Sequence, residues 1–459
     1  MKNNLIVILG GGESGIGAAI LANQKGYDVF LSDAGTLSSE RRRTLKSLNI
    51  DFEEGGHTKK VILQAKLVIK SPGIPETVPL IQGILKKGIP VISEIEFAYR
   101  FIDKAKIIAI TGTNGKTTTS LLTHHLLKTA GLKVALGGNI GKSLAGLVAE
   151  GGYHYYVVEV SSFQLDGIVD FRPDIGVLLN ITPDHLDRYD NNFSKYVTSK
   201  FKLTENLTRE EAFIYCSDAT PITEEISKRR IEACMFAISA SSDDKLNAYL
   251  ENEHLIFNYE YKDKDHHHEI PVSEVSLIGR HNMVNTMAAV LSALHLEVPI
   301  NRILKGLKTF KNAPHRLEFV AEHEGVGYIN DSKATNVDSV YYALDGIRES
   351  IIWIAGGIDK GNNYQQIDEL VNEKVKGLIC IGKDNERLKR YFEDKLDVIA
   401  EVKSMKEAIN VANDWSEPGD VVLLSPACSS FDLFDNYEDR GDQFRKAVKG
   451  LKKVKEGNL

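Results

Sequence analysis

A series of short apolar runs, each closing on small or polar residues, sets the strongest constraint on how this chain can fold. The runs are LIVILG, YDVFLSD, LVIKSPG, IIAITG, YYVVEVSS, IGVLLNIT, IIWIAGG, GLICIG and VVLLSPA. They are apolar at successive positions, so both faces of each strand must be covered. Longer amphipathic stretches separate them, and strands alternating with helices give mainly parallel sheets with helices on both sides. The expected fold class is α/β. In open parallel sheets ligands bind outside the carboxyl ends of the strands. The closing clusters GGG, SPG, GTNGKT, EVSS, NITPDH, AGG and SPACSS are therefore where chemistry is expected.

The chain has 459 residues, more than one ordinary core accommodates. Boundaries are expected near residue 98 and near residue 312, giving domains 1–98, 99–312 and 313–459. A hydrophobic share of 42% with 26% charged residues is that of a globular protein. The formal net charge of −7 gives no electrostatic reason to expect nucleic acid as a partner. Cys216, Cys234, Cys380 and Cys428 are widely spaced without a C-x-x-C pair, which argues against a disulfide framework and fits a reducing compartment. MKNNLIVILGGG runs directly into a strand, without a signal-peptide pattern, and no apolar run is long enough to cross a bilayer. A cytoplasmic protein without membrane contact, working as a monomer, is expected. FNYEYKDKDHHHEIPV reads as a hairpin, with the His266–His268 triplet expected at its charged tip rather than on a metal.

IIAITGTNGKTTTS reads as a strand, a glycine loop and the start of a helix. Its GKT ends a phosphate-gripping pattern, G-x-x-x-x-G-K-[ST], yet Ile110 stands where the first glycine belongs. The strand then runs one residue further before turning. Gly112, Thr113, Asn114 and Gly115 form the loop, whose backbone amides face an anion. Lys116 reaches the β- and γ-phosphates, the Thr117 hydroxyl faces Mg²⁺, and Thr118 continues the helix whose positive end points at the phosphates. A second turn, GGGESG, satisfies G-x-G-x-x-G through Gly10, Gly12 and Gly15, with Asp33 at the end of the next strand. That geometry fits NAD or any other diphosphate, a UDP-sugar included.

With ITGTNGKTTT, EVSSFQL, NITPDHLDRY and HRLE in this order, the chain resembles the Mur ligases. These are ATP-dependent enzymes that add amino acids to the peptide of the bacterial cell-wall precursor. NDSKATN and LLSPACSSFDLFDNYEDRG look most like the member that adds D-glutamate to UDP-N-acetylmuramoyl-L-alanine. The resemblance covers the whole length. It implies a Rossmann-like amino-terminal domain for the UDP substrate, a central P-loop-type ATPase domain and a Rossmann-like carboxy-terminal domain for the amino acid. The family uses the shorter T-G-T-N-G-K loop, and its amino-terminal glycine turn holds the UDP part of the substrate rather than NAD.

The resemblance also implies a reaction and assigns residues to it. A carboxylate attacks the γ-phosphate of ATP, and the acyl phosphate so formed is then attacked by an amine. Lys116, His185 and Lys200 are the implied catalytic residues, and Thr117, Glu159, His185 and Lys200 the metal ligands for two Mg²⁺ ions. Lys200 lies fifteen residues after His185, at the spacing of the lysine that the family carbamylates with CO₂, which would make it an anionic oxygen ligand. Asn282, Asn285 and Arg316 are implied on ATP, with His315 also facing the phosphates when the domains close. Gly12, Ser14, Gly15, Asp33, Ser71, Gly73 and Asn139 are implied on the UDP substrate. Lys333, Thr335, Lys360, Ser430 and Phe431 are implied on D-glutamate. Two departures stand out: Ile358 and Asp359 precede Lys360, and Tyr437 replaces a frequent phenylalanine. Competing readings are a ligase for another amino acid, folylpolyglutamate synthetases included, and a non-catalytic nucleotide-binding switch.

Overall fold

The apolar runs form the centres of three sheets in the computed structural model, which describes residues 4–262, 264–359 and 361–451. The first sheet holds β1 (Leu5–Leu9), β2 (Asp28–Ser32), β3 (Asp51–Glu53), β4 (Leu67–Lys70) and β5 (Val91–Ile92). Its order is β3-β2-β1-β4-β5, parallel throughout. Chain direction across the sheet reverses between β1 and β4, so the strand ends there open a crevice.

The second sheet holds β6 (Lys106–Thr111), β7 (Val134–Gly138), β8 (Tyr155–Glu159), β9 (Ile175–Leu178), β10 (Ala212–Cys216), β11 (Cys234–Ser239), β12 (Ala248–Glu251), β13 (His254–Tyr261) and β14 (Lys264–Pro271). The order is β14-β13-β12-β11-β10-β9-β6-β8-β7. Pairs β12–β13 and β13–β14 are antiparallel. β6 sits between β9 and β8, so the ends of these three strands lie side by side. The histidine triplet belongs inside β14, where His266 pairs with Tyr259 and stacks on its ring. The expectation of a triplet at the hairpin tip is thus corrected: the register puts Lys264 opposite Tyr261 and the turn before it.

The third sheet holds β15 (Glu318–His323), β16 (Val326–Asn330), β17 (Ile351–Ala355), β18 (Val375–Ile381), β19 (Ile399–Val402) and β20 (Val421–Leu424). Its order is β15-β16-β20-β17-β18-β19, with β15 antiparallel to β16 and the rest parallel. Ile351, Trp353 and Leu423 pack on one face, Ile352, Ile354 and Val422 on the other. Burial on both faces is what the unbroken apolar runs require.

The chain divides into two compact units, one holding residues up to Ser276 with Val284–Phe310, the other Leu277–Met283 with Lys311 onward. The first two sheets share the first unit and one core. Phe97 and Ala98 pack there with Ile6, Leu144, Ala145 and Leu165. Helix Glu13–Gln24 lies so close to Ser143 that a Cβ on Gly17 would sit 1.9 Å from its Oγ. The Glu96 carboxylate accepts the amides of Val169, Asp170 and Phe171 at 2.9, 3.0 and 2.9 Å. Among the described residues no helix is long and apolar enough to cross a membrane.

Candidate active site

The phosphate loop follows β6 directly. The strand runs through Ile110 and Thr111, which explains why position 110 carries no glycine. Glycine is required further on. Gly112 has φ 152° and Gly115 φ 82°, and a Cβ on Gly115 would lie 2.4 Å from Asn285 Oδ1. Gly115 then caps helix Lys116–Thr129, so the helix begins at the lysine with its first amides facing the loop.

Three residues outside the motif hold this loop in shape. Asn180, just after β9, accepts the Asn114 N–H at 2.8 Å and donates to its carbonyl at 3.1 Å, as a neighbouring strand would. Its own carbonyl accepts the Thr113 N–H at 2.9 Å. The Thr113 hydroxyl donates to Thr182 O at 3.1 Å, accepts the Thr182 N–H at 3.0 Å and meets the Tyr196 hydroxyl at 3.2 Å. Sequence reasoning missed Asn180, Thr182 and Tyr196. NITPDH was visible as a strand end, but its partner loop lies more than sixty residues away in the chain.

Glu159 closes β8 beside the loop. Its Oε2 accepts the Thr117 hydroxyl at 2.9 Å and its Oε1 accepts the Asn139 amide at 2.9 Å. Glu159 is 2% exposed. Lys200, on helix Phe193–Phe201, is 1% exposed and donates to Gly112 O at 2.8 Å. Burial pushes its pKa well below the usual lysine range, and the Lys116 ammonium adds to the effect. Lys116 itself donates to Gly112 O at 2.8 Å and Thr113 O at 2.7 Å. Lys116, Thr117, Asn139, Glu159 and Lys200 are thus gathered at one end of the second sheet, while Thr118 is buried in the helix.

His185 stands apart as an exposed side chain, 3.6 Å from Asp184 and edge-on to Phe163. Its backbone is left-handed, φ 51°, a conformation costing a non-glycine residue about 1 kcal/mol or more. The Asp184 carboxylate supports it by accepting the His185 N–H at 2.9 Å.

A hydroxyl, a carboxylate and a histidine are donors suited to a hard, largely hydrated ion that also binds phosphate oxygens, as Mg²⁺ does. Among the described residues, no three His, Cys, Asp or Glu side chains converge. An oxygen ligand built on Lys200 would add an anionic donor to this set.

At the reversal point of the first sheet, Gly15 must be glycine because a Cβ there would sit 1.8 Å from Gly10 O. Gly12 caps helix Glu13–Gln24, with Ser14 in its first turn. The Asp33 carboxylate accepts the amides of Gly11 and Gly35, which fixes it to the glycine turn. The Ser71 hydroxyl lies 3.4 Å from Gly10 O, and Gly73 is exposed beyond it.

In the second unit, Lys333 lies with its ammonium 3.5 Å from the Tyr437 ring centroid. Thr335 and Phe431 are exposed, Ser430 is buried, and Lys360 lies outside the described residues. Arg440, which the sequence reading did not single out, is buried. Its guanidinium donates to Ser332 Oγ, Ser332 O, Cys428 O and Gly356 O, joining the ends of β16, β17 and β20. Asp331 is also buried, and its pKa is pushed up to about 7 by burial, against hydrogen bonds from Ser425 and Leu317 and the nearby Arg316 cation. His315 belongs to the same end of the third sheet. Its ring is buried beside Asn330 Nδ2 at 3.0 Å and so close to Gly441 that a Cβ there would lie 2.1 Å from Nδ1. Asn282 and Asn285 lie on helix Arg280–His295; Asn282 donates to Ile278 O at 2.7 Å, while Asn285 belongs with the phosphate loop.

Comparison with known proteins identifies the domains and the family. Family models match for the MurD N-terminal domain at residues 6–78, the Mur ligase middle domain at 110–293, and the Mur ligase, glutamate ligase domain at 315–428. A UDP-N-acetylmuramoylalanine--D-glutamate ligase of Christiangramia forsetii is 48% identical over 446 residues, 97% of this chain and 99% of the relative. The ligase of that name from Bacteroides fragilis is also 48% identical, over 97% of this chain and 99% of its own. Among solved structures, a pseudomurein peptide ligase type C from Methanothermus fervidus superposes with a TM-score of 0.60 at 21% identity, covering 98% of this chain and 100% of its own. UDP-N-acetylmuramate-alanine ligase from Thermotoga maritima gives 0.59 at 18% identity, over 98% and 100%. These two bear on the fold alone. The chain belongs to the Mur ligase family.

Proposed function

We propose that the chain joins D-glutamate to UDP-N-acetylmuramoyl-L-alanine with conversion of ATP to ADP and phosphate, in peptidoglycan precursor synthesis. The observation that carries the substrate pair is the 48% identity over nearly the full length to ligases bearing that name. A carboxylate oxygen of the alanyl end attacks the γ-phosphorus and ADP leaves. The amine of D-glutamate, as the free base, attacks the acyl carbon, and the tetrahedral intermediate collapses by expelling inorganic phosphate. The acyl phosphate supplies the leaving group that a bare carboxylate lacks.

The residues act mainly by position and charge. Gly112, Thr113, Asn114 and Gly115 cradle the phosphates, Lys116 offsets charge on the transferring group, and Thr117 and Thr118 continue the site into the helix. Asn282, Asn285 and Arg316 complete the nucleotide contacts. Mg²⁺, when bound, screens the phosphate oxygens and orients them; Thr117, Glu159, His185 and a carbamate on Lys200 are the groups that would hold it. The depressed pKa of Lys200 supports carbamylation, because only the neutral amine attacks CO₂. Gly12, Ser14, Gly15, Asp33, Ser71, Gly73 and Asn139 receive the UDP substrate. Lys333, Thr335, Lys360, Ser430 and Phe431 receive D-glutamate, whose two carboxylates call for cations and hydroxyls. ATP and a UDP-linked substrate support a cytoplasmic setting, and the enzyme is proposed to work as a monomer.

Phosphate release with UDP-N-acetylmuramoyl-L-alanine and each of D-glutamate, L-glutamate, L-alanine and meso-diaminopimelate tests the proposal. Turnover with D-glutamate alone is expected. Comparable turnover with L-glutamate would overturn the amino-acid assignment, and activity only with another amino acid would favour a different ligase of the family.

A further inference from the structure

The geometry points to Arg188 as a positioning residue that fastens the Ser71–Gly73 loop, at the end of β4, to the loop carrying His185. This rests on the proposal above that the Ser71–Gly73 loop receives the UDP substrate. The Arg188 side chain makes three contacts. Its Nη1 donates to Gly73 O at 3.3 Å and its Nη2 to Pro72 O at 3.2 Å. Its guanidinium carbon lies 4.4 Å from the Phe163 ring centroid, so the flat face of the group rests on an aromatic while its edge reaches two consecutive carbonyls. Only a planar fork with several fixed N–H groups can do both, and a lysine ammonium cannot.

The other side of Arg188 leads to His185. The Arg188 backbone N–H closes a turn on His185 O at 3.0 Å. Phe163, beneath the guanidinium, meets the His185 ring edge-on with centroids 5.4 Å apart and stacks on Tyr189 at 5.9 Å. Within its own sheet the loop is braced at its two ends, by Ser71 N–H to Leu9 O and by the Lys70 ammonium to Ile74 O, both in the 2.8–2.9 Å range. Pro72 and Gly73 project between these braces toward the second sheet, and Arg188 meets them there. A substrate seated on Ser71 and Gly73 therefore rests on a loop whose position is set partly from the His185 side. Arg188 touches neither substrate nor reacting atoms in this scheme; it acts through the loop.

The bland alternative is an arginine that merely packs on Phe163, as surface arginines often do. Calorimetric binding of UDP-N-acetylmuramoyl-L-alanine, without nucleotide, metal or D-glutamate, separates the two. Arg188→Ala and Arg188→Met are both measured against the wild type, with thermal unfolding followed in parallel. The expected result is a Kd raised about tenfold in both variants, the scale of losing two charged-donor hydrogen bonds. KM for ATP and for D-glutamate stays within about twofold, since the Arg188 side chain reaches only Pro72, Gly73 and Phe163 and its backbone bond to His185 O survives truncation. Millimolar methylguanidinium restores affinity to Arg188→Ala but not to Arg188→Met, whose side chain fills the vacated space, and equal sodium chloride restores neither. Should Arg188→Ala fail to fold, Arg188→Met carries the comparison. Wild-type affinity in the variants, or an equal rise in all three substrate constants without rescue, would overturn the positioning role alone. A wild type that does not bind this sugar nucleotide would overturn the substrate reading and the inference with it.

Discussion

Lys116 and Lys200 place their ammonium nitrogens on one acceptor, the carbonyl oxygen of Gly112, each at 2.8 Å. Two cations meeting in so buried a place repel, and burial already disfavours a charge on Lys200. Both effects favour loss of the Lys200 proton, and the neutral amine so formed can make a C–N bond to CO₂ with loss of a further proton, leaving an anion beside Lys116 instead of a second cation. Lys200→Ala is therefore expected to lower turnover about 10²–10³-fold, and acetate or bicarbonate to restore part of it by offering an oxygen anion to the vacated space. Chloride at the same ionic strength should restore nothing. Full activity of Lys200→Ala without any added carboxylate would make Lys200 a structural lysine.

Lys116→Ala removes the cation proposed to offset charge on the transferring phosphoryl group, and acetate cannot replace a cation. Phosphate release is expected to fall by at least about 10³-fold and to stay there in acetate. Since Lys116 is only partly buried, the melting temperature should move little. Near-normal turnover by the folded variant would remove the loop from the mechanism.

Glu159 has one oxygen on Thr117 and the other on Asn139. Glu159→Gln keeps the shape and removes the charge. The expected outcome is a higher Mg²⁺ concentration for half-maximal rate and a kcat about a hundredfold lower, with unchanged binding of the UDP substrate alone. A magnesium titration that superposes on the wild type would rule Glu159 out as a metal ligand.

Asn180 tests how the loop keeps its shape. Asn180→Ala leaves the Asn114 amide and carbonyl without their partner, a loss of about 1–3 kcal/mol. KM for ATP should rise about tenfold or more while the Kd for the UDP substrate holds. Unchanged ATP kinetics would show that the loop is held by Thr113 and its partners alone.

What the sequence made legible is what short-range geometry dictates. Gly112, Gly115 and Gly15 were readable because only glycine tolerates those backbone angles or approaches. The three sheets were readable from runs apolar on both faces. Asn180, Tyr196, Arg188 and Arg440 were not, because each acts on a loop brought near by sheet order rather than by chain proximity. β9 lies next to β6, and β4 next to β1, only once the sheets form. The histidine triplet misled for a related reason: a hairpin's tip is fixed by pairing register, which a run of polar residues does not reveal.

Glu94 gives a prediction about stability and pH. It is 2% exposed, and its Oε1 accepts the Ala145 amide in the first turn of helix Leu144–Glu150. Its Oε2 has no hydrogen-bond partner, so a proton there relieves a buried unpaired oxygen. Burial pushes its pKa up from 4.5 to about 7, Ala145 N–H opposes this and Glu13 adds to it. Below pH 4.5 the carboxyl is protonated whether the chain is folded or not. As pH rises from there to 7 the unfolded chain loses its proton first, so stability falls across this window and levels off above it. The shift corresponds to about 3 kcal/mol at most. Glu94→Gln is neutral throughout and keeps an acceptor for Ala145, so it should match the wild type near pH 5 and melt several degrees higher at pH 8. Asp331, also raised to about 7, titrates in both proteins and cancels from the difference. Melting curves offset by the same amount at both pH values would show that Glu94 is not the titrating group.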